Sequence, residues 1–270
     1  MPPRKVVHRT TGTRHGPITR LVSPSDLGQM LKPFVFLDHF VLPAAAAGIG
    51  LHPHSGIVTL TYLFEGTMSY EDSNGVRGVV PAGGVEWFKA ARGAWHASGP
   101  EDSGVARGFQ LWLALGAEQE LGPVENIYLS PDQVPRDGAA RVLVGTHGGA
   151  TNSFNAGAPV NYLAVRLQSG ESWRYQPAAD HTVGWLSIST GRLRVPERVE
   201  AGELAVLEPS NAAIDFMAEA DSEFVVGSAV PHPYELALGA YSVHTSSAAL
   251  EAGERRLREI HRQLRSNGRV

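Results

Sequence analysis

The chain contains no cysteine among its 270 residues. This absence excludes disulfide bonds, thiolate nucleophiles, iron–sulfur clusters and zinc sites with sulfur ligands. Any bound metal must therefore take nitrogen or oxygen ligands. The missing cysteines are consistent with a compartment in which proteins do not fold oxidatively.

Long apolar runs and clustered charge of one sign are also missing. No stretch approaches the roughly 18 apolar residues of a membrane-spanning helix, and the opening residues MPPRKVVHRT lack the apolar core of a signal peptide. The net charge of -4 comes from 23 basic and 27 acidic residues, and one basic block, ERRLREIHRQLR, lies near the C-terminus. We therefore expect a cytoplasmic protein that does not act at a membrane and does not bind nucleic acid directly.

What the sequence does contain is many short strand-like segments. Its 30 glycines and 18 prolines separate alternating runs rich in valine, leucine, threonine, tyrosine and tryptophan, a pattern typical of all-β sandwiches and barrels. The segment DSNG, Asp72 to Gly75, predicts a hairpin turn because an Asn-Gly pair tolerates positive φ. The runs predict strands over Ile57–Phe64, Val76–Val80, Val85–Lys89, Phe109–Leu115, Tyr162–Leu167, Trp185–Ile188, Leu204–Leu207 and Glu223–Gly227.

Two parts of the chain resemble each other. The segments from Glu65 to Phe88 and from Thr190 to Leu207 each contain a strand that ends in glycine, a hairpin, and an Ala-Gly pair that opens another apolar strand. This repetition indicates two related β-domains, and the turn residues around Pro135 indicate the linker. We predict a first domain over residues 1–135, a second domain over 136–235, and a C-terminal extension over 236–270.

One amphipathic helix is predicted near the C-terminus. From Ser247 onward, Leu250, Leu257, Ile260 and Leu264 lie on one side of a helical pattern. Glu251 with Arg255 and Glu254 with Arg258 have the i,i+4 spacing that supports a helix. Ser246 or Ser247 supplies the N-cap, and Gly268 ends the helix. We interpret the arginines of this segment as a solvated helix face.

Two histidines, His52 and His54, are one residue apart at the start of an apolar run. In an extended segment, residues i and i+2 project to the same face, and Pro53 biases His52 toward extended backbone angles. His96 lies on a later strand, and a barrel that folds this strand against the first would bring three imidazoles to one point. Three histidines with open coordination positions suit iron, copper, nickel or zinc, and a substrate or water binds at the open positions.

The remaining histidines have no partner at ligand spacing. We interpret them as surface residues or as hydrogen-bonded residues of the interior. His181 is taken as the one histidine within the strands of the second repeat, so the second domain is predicted to lack a metal motif. The histidines interpreted in this way are His8, His15, His39, His147, His181, His232, His244 and His261.

The motifs around the histidine pair carry a family resemblance. Those that follow it are Tyr62-x-x-Glu65-Gly66, Asp72-Ser73-x-Gly75, Pro81-x-Gly83, Glu86-Trp87, Arg92-Gly93, His96 and Gln110-Leu111-Trp112. Further matches are FVFLDHF (residues 34–40), NYLAVRL (161–167) and YSVHTS (241–246). In these features, which span nearly the whole chain, the sequence resembles the pirin family of bicupins.

The resemblance implies an all-β fold of two cupin barrels, of the double-stranded β-helix or jelly-roll type, packed together and followed by the C-terminal helix. It implies one divalent transition metal in the first barrel, with Fe(II) as the first expectation and zinc, copper, nickel or manganese as alternatives. Some members of the family oxidise the flavonol quercetin with dioxygen. Others act as metal-dependent partners of transcription factors or metabolic enzymes.

The sequence departs from the family pattern at the site itself. The family's ligands are three histidines and a glutamate, which fall on His52, His54, His96 and Ser98. Ser55 and Val58 stand where arginine and glutamate are usual. A serine hydroxyl is a poor ligand for a divalent cation, so we expect weaker metal affinity, with Ser98 at a vacant ligand position or orienting a metal-bound water. Carboxylates that could replace the missing ligand are Glu86, Glu101 and Asp102.

Three functions remain open from the sequence. The first is an oxygenase of the quercetinase type with a small aromatic substrate and dioxygen, although the change at Ser98 removes the ligand carboxylate that could serve as general base. No other catalytic residue is assigned. The second is a metal-responsive module that binds a protein partner, and the third is a metal-free bicupin that binds a small molecule. One fold hosts many functions, so the fold alone does not choose among them.

Overall fold

The structure is a computed structural model that describes residues 4–101 and 104–270. Most of these residues lie in short antiparallel strands. In the first half the elements are β1 (Val6–Thr10), β2 (Thr13–His15), β3 (Ile18–Val22), α1 (Leu27–Leu31), β4 (Phe34–Leu42), β5 (Ile49–His54), β6 (Ile57–Glu65), β7 (Thr67–Asp72), β8 (Arg77–Pro81), β9 (Val85–Lys89), β10 (Ala94–Pro100), β11 (Ala106–Ala114) and β12 (Glu125–Leu129).

The second half continues in the same style and ends in a helix. Its elements are β13 (Arg136–Asp137), β14 (Ala140–His147), β15 (Ala150–Asn152), β16 (Val160–Leu167), β17 (Ser172–Tyr175), β18 (Val183–Thr190), β19 (Arg192–Val195), β20 (Glu197–Glu200), β21 (Leu204–Leu207), β22 (Ile214–Ala218), β23 (Ser222–Ala229), β24 (Ala237–Leu238), β25 (Val243–His244) and α2 (Ser247–Ser266). All eight strands predicted from the sequence are present, with ends that shift by a few residues.

Each half forms one large and one small sheet. In the first half the large sheet has the order β12-β9-β6-β11-β4-β3-β2 and the small sheet β5-β10-β7-β8. In the second half the orders are β1-β21-β18-β23-β16-β14-β13, with β15 beside β14, and β17-β22-β19-β20. The two halves therefore repeat one barrel topology, and the predicted all-β fold of two cupin barrels is confirmed.

The repeated turns explain why the segments Glu65 to Phe88 and Thr190 to Leu207 resemble each other in sequence. Gly66 and Gly191 follow β6 and β18 with φ of 79° and 87°, and Gly83 and Gly202 precede β9 and β21 with φ of 84° and 83°. A left-handed backbone at these four positions favours glycine, which has no Cβ to clash. The domain boundaries remain a prediction, and β1, near the N-terminus, pairs with β21 in the large sheet of the second half.

The largest apolar cluster lies between the two large sheets. It combines Leu60 and Trp87 of the first half with Tyr162, Trp185 and Val225 of the second half, all fully buried. Polar contacts supplement this interface, since Arg107 forms an ion pair with Glu223 at 2.7 Å. The two barrels thus share one continuous core, with smaller clusters inside each barrel.

The predicted C-terminal helix is α2. The hydroxyl of Ser246 accepts a hydrogen bond from the backbone N–H of Ala249 at 3.2 Å, and Gly268 follows the helix with φ of 67°. Its buried side includes Leu257, Ile260 and Leu264, while Leu250 is only partly buried. Of the two predicted ion pairs, Glu254 and Arg258 approach to 3.9 Å. No helix in the described ranges is both long and apolar enough to span a membrane.

Candidate metal centre

Two neighbouring strands bring the three histidines together. His52 and His54 lie on β5, where Pro53 separates them, and His96 lies on β10 directly opposite His52 in the antiparallel register. The ring centroids of His52 and His96 are 4.5 Å apart, those of His52 and His54 4.9 Å, and those of His54 and His96 5.1 Å. One potential ligand atom from each ring lies within 4.8 Å of the other two.

Hydrogen bonds set the tautomer of each imidazole. The Nδ1 atoms of His52 and His54 lie 2.9 and 3.2 Å from the carbonyl oxygens of Gly50 and Tyr241. A carbonyl oxygen only accepts, so each Nδ1 carries the proton and each Nε2 keeps its lone pair. The Nδ1 atom of His96 lies 3.3 Å from the carboxylate of Glu86, which orients that ring in the same way.

The Nε2 atoms of His54 and His96 are buried and have no hydrogen-bond partner among the residues that the structure describes. A buried nitrogen without a partner is costly, and such a lone pair is what a transition metal uses. Burial lowers the pKa of His52 to about 4, with an added contribution from nearby His96, and burial also lowers the pKa of His54 well below its usual value. Both rings are therefore neutral near pH 7, the form that binds metals, and the site fits a divalent transition metal.

The carboxylates considered as replacements for the missing fourth ligand occupy other places. Glu86 is buried at the Nδ1 side of His96 and accepts a hydrogen bond from Thr61 at 2.9 Å. Glu86 therefore supports a histidine instead of joining the group of mutually close ligand atoms. Glu101 is exposed, and Asp102 lies outside the described residues.

The three departures from the family pattern have separate surroundings. Ser98 lies on β10 beyond a register irregularity, and it lines a groove together with Gly48 and Tyr70. Val58 is fully buried in the core between the large sheets. Ser55 is also fully buried, and its hydroxyl donates to the hydroxyl of Ser242 at 2.8 Å.

Ser55 belongs to a buried network that attaches the C-terminal segment to the site. Its hydroxyl lies 3.0 Å from Nε2 of His244, and Nδ1 of His244 lies 2.9 Å from the carboxylate of Glu120. The same carboxylate accepts hydrogen bonds from the backbone and the hydroxyl of Thr245 at 2.8 and 2.6 Å. This network holds the segment whose Tyr241 carbonyl orients His54.

A cavity of about 510 Å³ opens beside His52 and His54. Its walls carry the aromatic rings of Phe36, Trp112 and Tyr241. Phe36 and Trp112 stack with centroids 4.0 Å apart, and the guanidinium of Arg20 lies 3.9 Å from the centroid of Phe36. The cavity therefore has an aromatic, largely apolar wall next to the imidazoles.

The cavity also contains one ion pair. Asp38 is buried and accepts two hydrogen bonds from Arg20, the second at 3.2 Å. Burial raises the pKa of the Asp38 carboxyl, while the hydrogen bond and charge of Arg20 lower it. Asp38 thus places a carboxylate in the cavity wall, at a position that the sequence analysis did not assign. The motif FVFLDHF contains Asp38 and is the signal that could have pointed to it.

The other histidines are distributed as surface or hydrogen-bonded residues, with one correction. His181 precedes β18 and lies outside the strands, whereas His147 ends β14 and His244 ends β25, so His181 is not the histidine within the strands of the second half. The buried examples bond to neighbours, as His181 does with Ser228 at 2.9 Å and His39 with Ser189 at 3.0 Å. Within the described ranges, the one group of metal-type ligands is His52, His54 and His96.

Two cupin barrels with three inward histidines in the first define a bicupin, and comparisons with known proteins identify the family. The family model named Pirin matches residues 16–113. A pirin-like protein of Caulobacter vibrioides is 34% identical over 192 residues, which covers 66% of this chain and 68% of that protein. The chain belongs to the pirin family.

Further similarities concern proteins named for quercetin oxidation. A Pseudomonas aeruginosa protein provisionally named a quercetin 2,3-dioxygenase is 41% identical over 124 residues, 44% of this chain and 43% of that protein. The crystal structure of quercetin 2,3-dioxygenase from Acinetobacter baumannii superposes with a TM-score of 0.82 at 23% identity and covers 96% of both chains. The pirin YhhW from Escherichia coli, solved in complex with nickel(II), gives a TM-score of 0.67 at 21% identity and covers 85% of this chain and 98% of YhhW. These structural similarities establish the fold.

Proposed function

We propose that His52, His54 and His96 bind one divalent transition metal, with Fe(II) as the first expectation, and that the protein oxidises a small planar aromatic substrate with dioxygen. The observation that carries this proposal is the pair of buried Nε2 atoms without partners, on His54 and His96, beside an aromatic-walled cavity. Relatives named for quercetin dioxygenase activity support the reaction class.

The cavity is suited to the substrate by its size and by its aromatic lining. Its volume of about 510 Å³ falls within the range of about 300 to 1,000 Å³ that is typical of small-molecule sites. Phe36 and Trp112 stack on each other and line the cavity, so they give it an apolar aromatic wall against which an aromatic substrate can pack. Tyr241, which is 48% exposed, also lines the cavity.

The roles of the chain's own residues follow from these positions. When bound, the metal supplies the Lewis acidity and redox chemistry that oxidation by dioxygen needs. The carbonyls of Gly50 and Tyr241 and the carboxylate of Glu86 hold the three imidazoles in the ligating tautomer. Asp38 accepts the proton of a substrate hydroxyl, the task for which Ser98 offers no carboxylate. Arg20 holds Asp38 in place and favours its ionised form against the effect of burial on the carboxyl pKa.

Two measurements test the proposal. Elemental analysis of the purified protein determines whether a metal is bound, and an oxygen electrode with quercetin determines whether the loaded protein consumes dioxygen. We expect close to one metal per chain and oxygen uptake that depends on quercetin. Bound metal without uptake would overturn the oxygenase and favour the metal-responsive binding module, while a metal-free protein would favour the small-molecule-binding bicupin.

Asp38→Asn tests the assignment of the base. We expect the turnover number to fall by about 10²- to 10⁴-fold, because this is the usual contribution of a positioned general base. Metal content should stay unchanged, since Asp38 is not among the close ligand atoms. Asp215→Asn, an exposed carboxylate paired with Arg174 in the second half, is the matched control. Full turnover in Asp38→Asn would remove Asp38 from the reaction.

A further inference from the structure

A second cavity, of about 220 Å³, lies where the two halves of the molecule meet. It is lined by Tyr62 of β6, by Arg136, Arg141 and Arg166 of the second half, and by the small residues 138–140 and Ala164. The lining contains three guanidinium groups and no carboxylate. The cavity is separate from the histidine centre and shares no residue with the aromatic cavity.

The register of the strands concentrates these positive charges on one face. Arg136 on β13 lies directly opposite Arg141 on β14, and Arg141 lies opposite Ala164 on β16. Arg166 is two residues beyond Ala164, so it projects to the same face of the strand. Like charges directly opposite each other across two strands are destabilising. The arrangement therefore calls for a negative partner.

The chain itself supplies little of that negative charge. Arg166 forms an ion pair with Glu223 at 2.8 Å. Arg141 donates to the neutral carbonyl of Pro131 at 2.6 Å, which holds its side chain in place without neutralising it. Neither Arg136 nor Arg141 forms an ion pair within residues 4–101 and 104–270. Two guanidinium groups thus keep unused N–H donors at the cavity.

The tyrosine at the cavity adds a buried donor. Tyr62 is 1% exposed, and its hydroxyl has no hydrogen-bond partner in the part of the chain that the structure describes. Burial raises the pKa of the Tyr62 phenol, Arg141 and Arg166 lower it, and the carboxylate of Glu223, the ion-pair partner of Arg166, raises it. Tyr62 lines the cavity, so its hydroxyl can donate to an acceptor bound there.

We propose that this cavity binds a small tetrahedral oxoanion, either inorganic phosphate or the phosphate group of a small phosphomonoester. Guanidinium groups match phosphate oxygens in geometry and bind them through charge-assisted hydrogen bonds, and the Tyr62 hydroxyl donates one more. The volume of about 220 Å³ is below the lower limit of about 300 Å³ for drug-sized ligands. Arg136 is exposed and marks the mouth, through which the remainder of a phosphomonoester would extend.

Calorimetric titration with inorganic phosphate, at constant ionic strength set by chloride, tests the site. We expect one binding site per chain, and Arg136→Gln should weaken binding by about tenfold or more, because it removes a charge-assisted hydrogen bond to the anion. Tyr62→Phe, which removes only the hydroxyl, should weaken binding by a few-fold. Arg174→Gln, an exposed arginine of another sheet, is the matched control and should bind as the wild type does.

Three further readouts separate this inference from its alternatives. Titration with glycerol 3-phosphate distinguishes the two ligand sources, since tighter binding than phosphate identifies a phosphomonoester site. Phosphate should bind equally well to His52→Ala, so the result does not depend on the metal proposed above. In phosphate-free buffer Arg136→Gln should unfold at the wild-type temperature or higher, because a like-charge pair has been removed. Absence of phosphate binding, or equal binding by Arg136→Gln, would overturn the proposal.

Discussion

The two barrels place different side chains at the same positions of the same topology. In the first barrel, β5 carries His52 and His54, and β10 carries His96 opposite His52. In the second barrel, β17 and β22 are the corresponding strands. They carry Trp173 and Tyr175 in place of the histidine pair, with Phe216 opposite Trp173. Three imidazoles in one barrel thus correspond to three larger aromatic rings in the other.

The aromatic rings of the second barrel pack against one another, whereas the imidazoles of the first barrel leave buried nitrogen atoms without a partner in the described chain. In the second barrel Trp173 lies 5.1 Å from Phe216 and 5.8 Å from Tyr175, and these rings join one large apolar cluster. The hydroxyl of Tyr175 accepts from Asn161 at 3.0 Å and lies 2.6 Å from the hydroxyl of Ser228. In the first barrel the corresponding polar atoms, Nε2 of His54 and His96, find no partner in the described chain.

The comparison shows that the strand pair itself does not determine function. In the second barrel this strand pair carries aromatic rings that pack into an apolar core. In the first barrel it carries histidines whose buried Nε2 atoms have no hydrogen-bond partner in the described chain. An incompletely satisfied buried centre lowers stability, and natural proteins retain such features where a ligand completes them. The predictions below test this contrast.

The largest expected effect is the loss of metal from the first barrel. His52→Ala removes one of three ligands and breaks only a hydrogen bond to a backbone carbonyl, so the variant should fold. We expect metal content below about a tenth of the wild-type value after equal dialysis, since too few imidazoles remain to hold the ion. Elemental analysis gives the measurement.

His147→Ala is the matched control for that loss, because His147 is a partly buried histidine of the second barrel near Trp173. It should leave metal content unchanged. Equal metal content in His52→Ala and the wild type would mean that the metal binds elsewhere, and the contrast between the barrels would lose its functional meaning.

Phe216→Ala tests the second barrel as a structural core. Phe216 is 1% exposed, and truncation of such a ring leaves a cavity that costs about 3 to 5 kcal/mol. Chemical denaturation should show this loss, while the metal affinity of the folded protein should match the wild type. A matched truncation at exposed Met217 on the same strand, Met217→Ala, should cost less than about 1 kcal/mol. If Phe216→Ala also lowered metal affinity, the barrels would be coupled.

Much of this contrast is predictable from local sequence. The strands follow from alternation and glycine turns, and the convergence of His52 and His54 with His96 follows from the period of two in a strand and from barrel closure. The alternation, the glycine turns and the His52–His54 spacing each lie within about ten residues, and His96 lies on the strand adjacent to that pair. For this reason the β-rich repeat and the histidine group are predictable from the residues themselves, while the cupin type of barrel is implied by the family resemblance.

The remaining parts of the site depend on contacts between distant residues. Tyr241 reaches His54 across 187 positions, and His244 reaches Glu120 across 124. Strand β1 pairs with β21 although about 200 residues separate them, since Val6 is opposite Leu207. No local pattern encodes these pairings. They arise when the packed barrels leave one position for each segment, so the sequence analysis missed them.

His39, at the interface between the barrels, should make the stability of the folded protein depend on pH. Burial, with a smaller contribution from Arg107, lowers the pKa of His39 to about 4 in the folded protein. The unfolded chain binds this proton at about pH 6.5, so the stability contributed by neutral His39 is present above pH 6.5 and is lost as the pH falls toward 4. The shift corresponds to at most about 3.5 kcal/mol.

Denaturation at pH 7 and at pH 4.5 measures this effect. His39→Gln keeps a polar side chain near Ser189 and should lose less stability on acidification than the wild type. His8→Gln, a change at an exposed histidine, is the control and should follow the wild-type pH dependence. If His39→Gln and the wild type lost equal stability, His39 would not be responsible for acid sensitivity at the interface.

The smallest effect concerns the fourth position of the first barrel. Ser98→Glu introduces the carboxylate that the family pattern places two residues after His96, and we expect metal retention to rise by about tenfold, within the range of 10- to 100-fold associated with outer-shell partners. Competitive chelation measures the gain. The control is Ser98→Gln, because glutamine has nearly the shape of glutamate and no charge.

A register irregularity separates Ser98 from His96. If the glutamate variant did not retain metal better than the wild type, the strand would direct residue 98 away from the imidazoles. In that outcome the three histidines act without a protein carboxylate, and the contrast between the barrels depends on imidazoles alone.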